Sequence, residues 1–88
     1  MANHVSALKR ARQSLVRRDR KRATRSKVRN LIKKVAVACE AGDAEQAQTA
    51  LKTAVPAIYK AAGKGVWHAN KASRKVSRLT RQVNAVSA

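Results

Sequence analysis

The chain has 88 residues, and its 21 lysines and arginines outnumber the four acids so far that the formal net charge is +17 at pH 7. This length allows one small domain and excludes a large cofactor fold or a deep catalytic cleft. Such a charge opposes a compact fold by self-repulsion and is tolerated mainly when a polyanion supplies counter-charge. The single cysteine excludes an internal disulfide, and no apolar run reaches signal-peptide or membrane-span length. We therefore expect a reduced, cytoplasmic protein.

The first predicted helix runs from about residue 6 to residue 40, where Ala41 and Gly42 end it. Its C-terminal part carries an apolar stripe at helical spacing, formed by Val28, Leu31, Ile32, Val35 and Cys39. Cys39 continues this stripe and is therefore expected in the core. Upstream, only Leu8, Ala11 and Leu15 make a weak stripe.

The segment between Arg17 and Lys27 has no apolar face to bury. Seven of its eleven residues are basic, with Ala23 the only aliphatic residue and Asp19 the only acid. At about 1.5 Å per residue, the first helix is also much longer than its partners and must project beyond a bundle. The sequence thus predicts an overhanging basic rod surrounded by its ligand. Free in solution, residues 1–27 should be largely unfolded, because like charges four residues apart destabilise a helix.

The second predicted helix spans about residues 44–62. Asp43 is a candidate N-cap with Gln46 three residues on, a pair typical of helix starts. Pro56 should kink the helix without dividing it, because the apolar stripe continues on both sides. That stripe consists of Ala47, Ala50, Leu51, Ala54, Val55, Ile58 and Ala62.

The third predicted helix spans about residues 67–86 and follows the breaker Gly63-Lys64-Gly65. Its apolar seam has the 3-4 spacing of a helix packed against neighbours and comprises Ala69, Ala72, Val76, Leu79, Val83 and Val86. At roughly 100° per residue, the bases fall in an arc of about 120° opposite the seam. They are Lys71, Arg74, Lys75, Arg78 and Arg81. The predicted fold is all-α, a single domain over 1–88 forming a three-helix bundle with a long, overhanging basic N-terminal helix.

Charge distribution points to a nucleic acid as the ligand. Residues 1–34 hold thirteen bases against one acid, residues 60–88 hold seven bases and no acid, and the segment between them is nearly neutral. The chain lacks helix-turn-helix spacing, zinc ligands and a zipper repeat, and its two aromatics, Tyr59 and Trp67, provide no stacking platform. The binding mode that remains is recognition of phosphate geometry by rigid helices. This mode suits folded RNA or bent DNA.

The remaining polar and aromatic residues indicate no catalytic or metal site. Four acids, three of them near residues 40–45, offer no acid–base pair, so we expect no enzyme and no cofactor. His4 and His68 cannot form a metal site without further ligands. His68 is either an RNA hydrogen-bonding residue or a helix-start residue. Trp67 is more often a cap on a thin core than a stacking residue.

Both ends of the chain carry a recognisable motif. The start reads MANHVSALKRARQ, and the stretch from Gly63 to Asn84 reads GKGVWHANKASRKVSRLTRQVN, in which Lys-Gly-x-x-His-x-Asn-Lys is the specific part. With these motifs the chain resembles the bacterial small-subunit ribosomal protein family numbered twenty over essentially its whole length. It departs from that pattern at Val5, Ala69 and Val76, where bases are usual, and at Trp67, where an aliphatic residue is usual.

The resemblance implies a structural protein that binds 16S ribosomal RNA directly. The first helix of that family inserts among RNA helices of the 5′ domain and near the long penultimate helix at the base of the body. It also implies few contacts with other ribosomal proteins, no membrane and no small-molecule substrate. The implied RNA-contact residues are Asn3, Ser6, Lys9, Arg10, Arg12, Gln13, Arg17, Arg18, Arg22, Arg25, Arg29, His68, Asn70, Lys71, Arg74, Lys75 and Arg78.

Two other functions fit part of the pattern. A nucleoid-type DNA-compacting protein has similar charge, but should bind duplex DNA as well as folded RNA at matched salt. A membrane-active basic helix needs bulky apolar residues, whereas the third helix offers mainly alanine and valine. The first of these is the stronger alternative.

Overall fold

The computed structural model describes residues 2–87, with side chains from Val5 onward, as three α-helices. They are α1 (Ala2–Glu40), α2 (Ala44–Gly63) and α3 (Ala69–Ser87). The predicted all-α fold, a bundle with an overhanging N-terminal helix, is confirmed. Helix α1 begins four residues before the expected start, and no glycine or proline interrupts the sequence there. Helix α3 begins two residues later than expected, since Trp67 and His68 lie in the preceding loop.

Both interhelical turns are Schellman motifs with glycine in the left-handed conformation. At the end of α1, Gly42 (φ 72°) donates to the Cys39 carbonyl at 3.1 Å, and Asp43 donates to the Ala38 carbonyl at 3.1 Å. At the end of α2, Gly65 (φ 79°) donates to Ala62 at 3.0 Å and Val66 donates to Ala61 at 3.0 Å. Glycine adopts positive φ without steric cost, so these residues end each helix and reverse the chain.

The predicted start of α2 is confirmed. The Asp43 carboxylate accepts a hydrogen bond from the Gln46 amide at 3.1 Å, which satisfies one of the free N–H groups of the first turn. The helix continues through Pro56 as one element. Because Pro56 lies on the exposed side of α2, the Lys52 carbonyl that loses its donor there is on the side that faces water.

Alanine supplies half of the ten buried core residues, so the helices pack closely around a thin core. The buried set is Val28, Val35, Ala38, Ala47, Ala54, Ile58, Ala61, Ala72, Leu79 and Val83. Leu31, Ile32, Cys39, Leu51 and Trp67 pack against it while partly exposed, as does Val76. No polar or charged side chain is buried in the part of the chain that the structure describes.

Five positions differ from the predicted stripes. Val55 and Val86 are only half-buried and are not among the side chains that pack against the core cluster. Ala69 is exposed and not part of the α3 seam. It is the first residue of α3, and the Cβ of a helical residue tilts towards the N-terminus, here beyond the facing helices. Ala38 and Ala61 are buried although the predicted stripes omit them. A small alanine on a helix with alanines on several faces carries little information about which face is buried.

The helix order places the start of α3 at the end of the bundle from which α1 projects. The turn at residues 41–43 reverses the chain, so α2 returns along α1 for about 30 Å, or roughly its last 20 residues. The Gln48 amide donates to the Ser87 hydroxyl at 3.1 Å, so the end of α3 lies beside the start of α2. The other end of α3 therefore lies beside the end of α2, level with the middle of α1.

Two leucines of opposite exposure test this architecture. Leu79→Asp should lower the free energy of unfolding by about 3 kcal/mol or more, because it buries an unpaired carboxylate at a position that is 6% exposed. Leu15→Asp makes the same chemical change at a position that is 54% exposed, and should leave the melting temperature almost unchanged. Thermal melts followed by circular dichroism at 222 nm measure both.

A charge control separates burial from electrostatics in these melts. Arg78→Ala removes a neighbouring exposed cation and should melt like the parent protein. The packing assignment of α3 is wrong if Leu79→Asp stays folded or if Arg78→Ala unfolds the bundle.

Candidate nucleic-acid interface

One open groove on the outer face of α3 brings together six predicted RNA-contact residues. It is lined by His68, Asn70, Lys71, Arg74, Lys75 and Arg78. All six are exposed except Lys75, which is half-buried. The residues from Lys60 to the end of the chain include no acid, so no carboxylate of α3 neutralises the four cations of the groove. The groove is therefore a positively charged surface with amide and imidazole groups at one end. We call it the α3 groove.

His68 occupies the N-cap position of α3. Its Nδ1 accepts a hydrogen bond from the Asn70 amide at 3.1 Å, and its carbonyl accepts from Lys71 and Ala72 at 3.0 and 3.2 Å. An Nδ1 that accepts carries no proton, so the bond assigns the Nε2–H tautomer. The helix-start interpretation is therefore confirmed. The RNA-donor interpretation is compatible with it, since Nε2–H is not used by the cap.

Trp67 fastens the loop before α3 to the end of α2. Its indole Nε1–H donates to the Ile58 carbonyl at 3.3 Å, and its ring packs against the core cluster. The predicted role as a cap on the thin core is confirmed. The same ring carries the ammonium groups of Lys71 and Lys75 on its face, 5.9 and 5.5 Å from the ring centroid. This arrangement was not predicted from the sequence, although Lys71 and Lys75 follow Trp67 at intervals of four and eight residues, which places both lysines on one side of α3.

The basic part of α1 forms the second candidate surface. Every described side chain from Val5 to Ala23 is exposed, and the first buried side chain is that of Val28. We call residues 2–27 the overhang; they account for most of the 66 Å length of the molecule, which is only 21 Å by 14 Å in its other dimensions. The exposed predicted contact residues on α1 are Ser6, Lys9, Arg10, Arg12, Gln13, Arg17, Arg18, Arg22, Arg25 and Arg29. The side chain of Asn3 lies outside the described residues.

The overhang leaves its few large apolar side chains in solvent. Val5, Leu8, Leu15 and Val16 are between 46% and 68% exposed. The predicted weak stripe of Leu8 and Leu15 therefore packs against no other helix of the described chain. The bases project around the whole helix at about 100° per residue. A ligand that satisfies them must approach from several sides.

The two candidate surfaces adjoin. The first turns of α3 are level with the middle of α1, which is where the overhang leaves the bundle. The acids Glu40, Asp43 and Glu45 gather at the opposite end, in the turn between α1 and α2. The molecule therefore has one strongly cationic end and one end where the charge nearly cancels. A single polyanion can contact the overhang and the α3 groove together.

A second groove between α1 and α2 has a mixed charge. Its lining includes Lys33 and Lys34 but also Asp43 and Glu45. Opposite charges within one groove partly cancel, so this groove attracts a polyanion less strongly than the α3 groove does.

The described part of the chain has neither a metal-binding cluster nor a membrane-spanning helix. Among residues 5–87, whose side chains the structure describes, no cluster of three or more His, Cys, Asp or Glu is placed to hold a metal ion. Within the same residues, no helix combines the length and the hydropathy needed to cross a bilayer.

Comparison with known proteins identifies the family. Residues 2–84 match the family model described as ribosomal protein S20. The chain belongs to the ribosomal protein S20 family. It is 54% identical over 87 residues to the small ribosomal subunit protein bS20 of Nitratidesulfovibrio vulgaris strain DP4, which covers 99% of this chain and 100% of that protein. It is 57% identical over 86 residues to the protein of the same name from Syntrophotalea carbinolica, with 98% and 99% covered.

Membership of the S20 family confirms the resemblance seen in the sequence. A third relative, the bS20 protein of Syntrophus aciditrophicus, is 56% identical over 85 residues and covers 97% of this chain and 96% of its own length. The match extends over the overhang, the bundle and the α3 groove together. As the scarcity of acids predicted, the chain is not an enzyme.

In the free protein the overhang should be largely unfolded and should become helical when RNA binds. It has the helical conformation in the structure but contains no buried side chain among those described, and its like charges repel. Amide hydrogen exchange followed by NMR should show weak protection for residues 9–23 and strong protection for residues 28–40. Adding RNA should protect the first segment. Equal protection of both segments in the free protein would contradict this expectation.

Proposed function

We propose that the chain is a structural constituent of the small ribosomal subunit that binds 16S ribosomal RNA directly. It neutralises phosphates and holds RNA helices together during and after assembly, in the cytoplasm where bacterial ribosomes work. The observation that carries this proposal is the overhang, an exposed basic helix with no packing partner in the described chain. Membership of a ribosomal protein family and the names of its relatives support it.

The overhang acts by lowering the repulsion between RNA helices. Bases on all sides of one α-helix, which is about 10 Å wide, can contact phosphates of several RNA strands at once. Arginine suits this role because its planar guanidinium binds two phosphate oxygens in a bidentate manner. Each contact releases counterions, so the gain grows with the number of phosphates neutralised. RNA helices that would repel one another can then lie on opposite sides of the same rod.

The α3 groove provides a second contact at a fixed distance from the first. It stands on the packed bundle, so its cations keep their spacing before RNA arrives. Phosphate contacts of this kind determine position and orientation more than sequence. A rigid groove beside the base of the overhang therefore sets the register in which RNA helices meet.

The finer placement follows the family resemblance. We propose that the overhang inserts among RNA helices of the 5′ domain, near the long penultimate helix at the base of the body. We also propose few contacts with other ribosomal proteins. The contact set is the one implied by the resemblance, including Asn3, with the six residues of the α3 groove as a unit.

Chemical footprinting tests this proposal. On naked 16S ribosomal RNA, the protein should protect a limited set of nucleotides in the 5′ domain and the penultimate helix, and excess duplex DNA should not remove the protection. Arg18→Ala/Arg22→Ala should weaken it at least tenfold, because two phosphate contacts are lost. The matched control Lys52→Ala/Lys60→Ala removes two exposed charges from α2 and should bind nearly like the parent. Equal competition by duplex DNA would favour the DNA-compacting alternative.

Affinity should depend steeply on salt. If about ten phosphates are neutralised, the logarithm of the association constant should fall with the logarithm of salt concentration at a slope of roughly −7 to −9. Filter binding to a 5′-domain RNA over a series of KCl concentrations measures the slope. A slope shallower than about −3 would mean that hydrogen bonding or shape dominates recognition.

A further inference from the structure

Trp67 contacts two cations without neutralising either. The ammonium groups of Lys71 and Lys75 lie 5.9 and 5.5 Å from the indole centroid. A ring face attracts a cation through its quadrupole, and it takes none of the three N–H donors as an acceptor atom would. A carboxylate in the same place would hold the lysines but cancel their charge. The ring therefore orients both ammonium groups and leaves them positive for an anion.

The indole is itself fixed by the bundle. Its Nε1–H is bonded to the Ile58 carbonyl of α2 at 3.3 Å, and its body packs against the core cluster. A lysine on an exposed helix face otherwise samples many rotamers, and ordering it on binding costs free energy. Contact with a fixed ring narrows that range before the ligand arrives. Lys75 is also half-buried, unlike the other cations of the groove.

We propose that Trp67 is a positioning residue of the RNA interface. It orients Lys71 and Lys75, which both line the α3 groove, as a preorganised contact for RNA phosphate. This inference rests on the proposed function, because the anion is taken to be the RNA backbone. The indole is bonded to α2 at one edge and has the two ammonium groups over its ring, so its role is to position the lysines and not to stack on a base.

Ring-current shifts in the free protein test the geometry. The ε-methylene protons of Lys71 and Lys75 should resonate upfield of those of Lys52 in NMR spectra, because they lie over an aromatic face. The upfield shift should persist when a 5′-domain RNA fragment is bound. Absence of the shift, or its loss on RNA binding, would overturn the proposal, since the ring then would not hold the lysines in the complex.

A mutant cycle tests the effect on binding at one salt concentration. Trp67→Leu keeps an apolar side chain but removes the ring, and should weaken RNA binding about three- to fivefold. Trp67→Phe keeps a ring face and should stay within about twofold of the parent. In a Lys71→Met/Lys75→Met background, Trp67→Leu should cause no further loss. Tyr59→Leu, which removes an exposed ring from α2, is the matched control and should bind like the parent.

Each variant of the mutant cycle has an outcome that would contradict one part of the proposal. If Trp67→Leu weakens binding equally with and without the lysines, the indole contacts RNA or supports the fold, and the positioning role is wrong. If Trp67→Leu tightens binding, the ring competes with phosphate, and the role is again wrong. If Lys71→Met/Lys75→Met binds normally while the overhang variants fail, the α3 groove is not a contact. If the parent protein does not protect 16S ribosomal RNA, the proposed function itself fails.

Discussion

The shortage of internal counter-charge governs the whole structure. With 21 bases and four acids, the chain cannot pair its cations with its own carboxylates, so the cations must face outward. A bundle can form only where the sequence offers an apolar stripe, and α1 offers one only from Val28 onward. Half of the buried core residues are alanines, which contribute little apolar area each. The bundle is therefore small, and the remainder of α1 has nothing of its own chain to pack against. Helix α1 therefore has one half that is packed in the bundle and one half that projects from it.

The two glycine turns bring both basic surfaces to the same end of the molecule. Gly42 and Gly65 each reverse the chain within a few residues, so α2 and α3 stay beside the second half of α1. Three helices joined this way alternate in direction, and the start of α3 returns to the point where the overhang leaves the bundle. The acids around the turn between α1 and α2 lie at the opposite end of the bundle. Two basic segments that are forty residues apart in sequence thereby adjoin in space, which a disordered basic tail would not achieve.

Much of this architecture follows from the sequence because the strongest signals are local. Helix number, the Asp43 cap, the glycine stops and the two-faced character of α3 each depend on residues within a few turns of one another. The misses have equally specific causes. The start of α3 was placed two residues early, because His68 caps the helix through an imidazole nitrogen, which lies outside the usual Ser, Thr, Asp and Asn set. Ala38 and Ala61 were omitted from the predicted stripes because alanine occurs on every face, whereas Ala69 is exposed because it is the first residue of α3. The contact of Trp67 with Lys71 and Lys75 depends on where the Ile58 carbonyl fixes the ring, and that is a tertiary fact.

The like charges of the overhang predict that it is less ordered than the α3 groove before RNA is bound, and this difference sets an order of events. Ordering a flexible backbone costs about 1 to 2 kcal/mol per residue, so the overhang must recover a large cost from its phosphate contacts as it becomes a stable helix. The α3 groove has no such cost, because its backbone is part of the bundle and Trp67 restricts two of its lysines. Docking the groove first makes the overhang's search for phosphates intramolecular, which raises its effective concentration near the RNA. A preformed groove beside an incompletely ordered rod thus lets one small protein bind RNA helices that are not yet in their final arrangement.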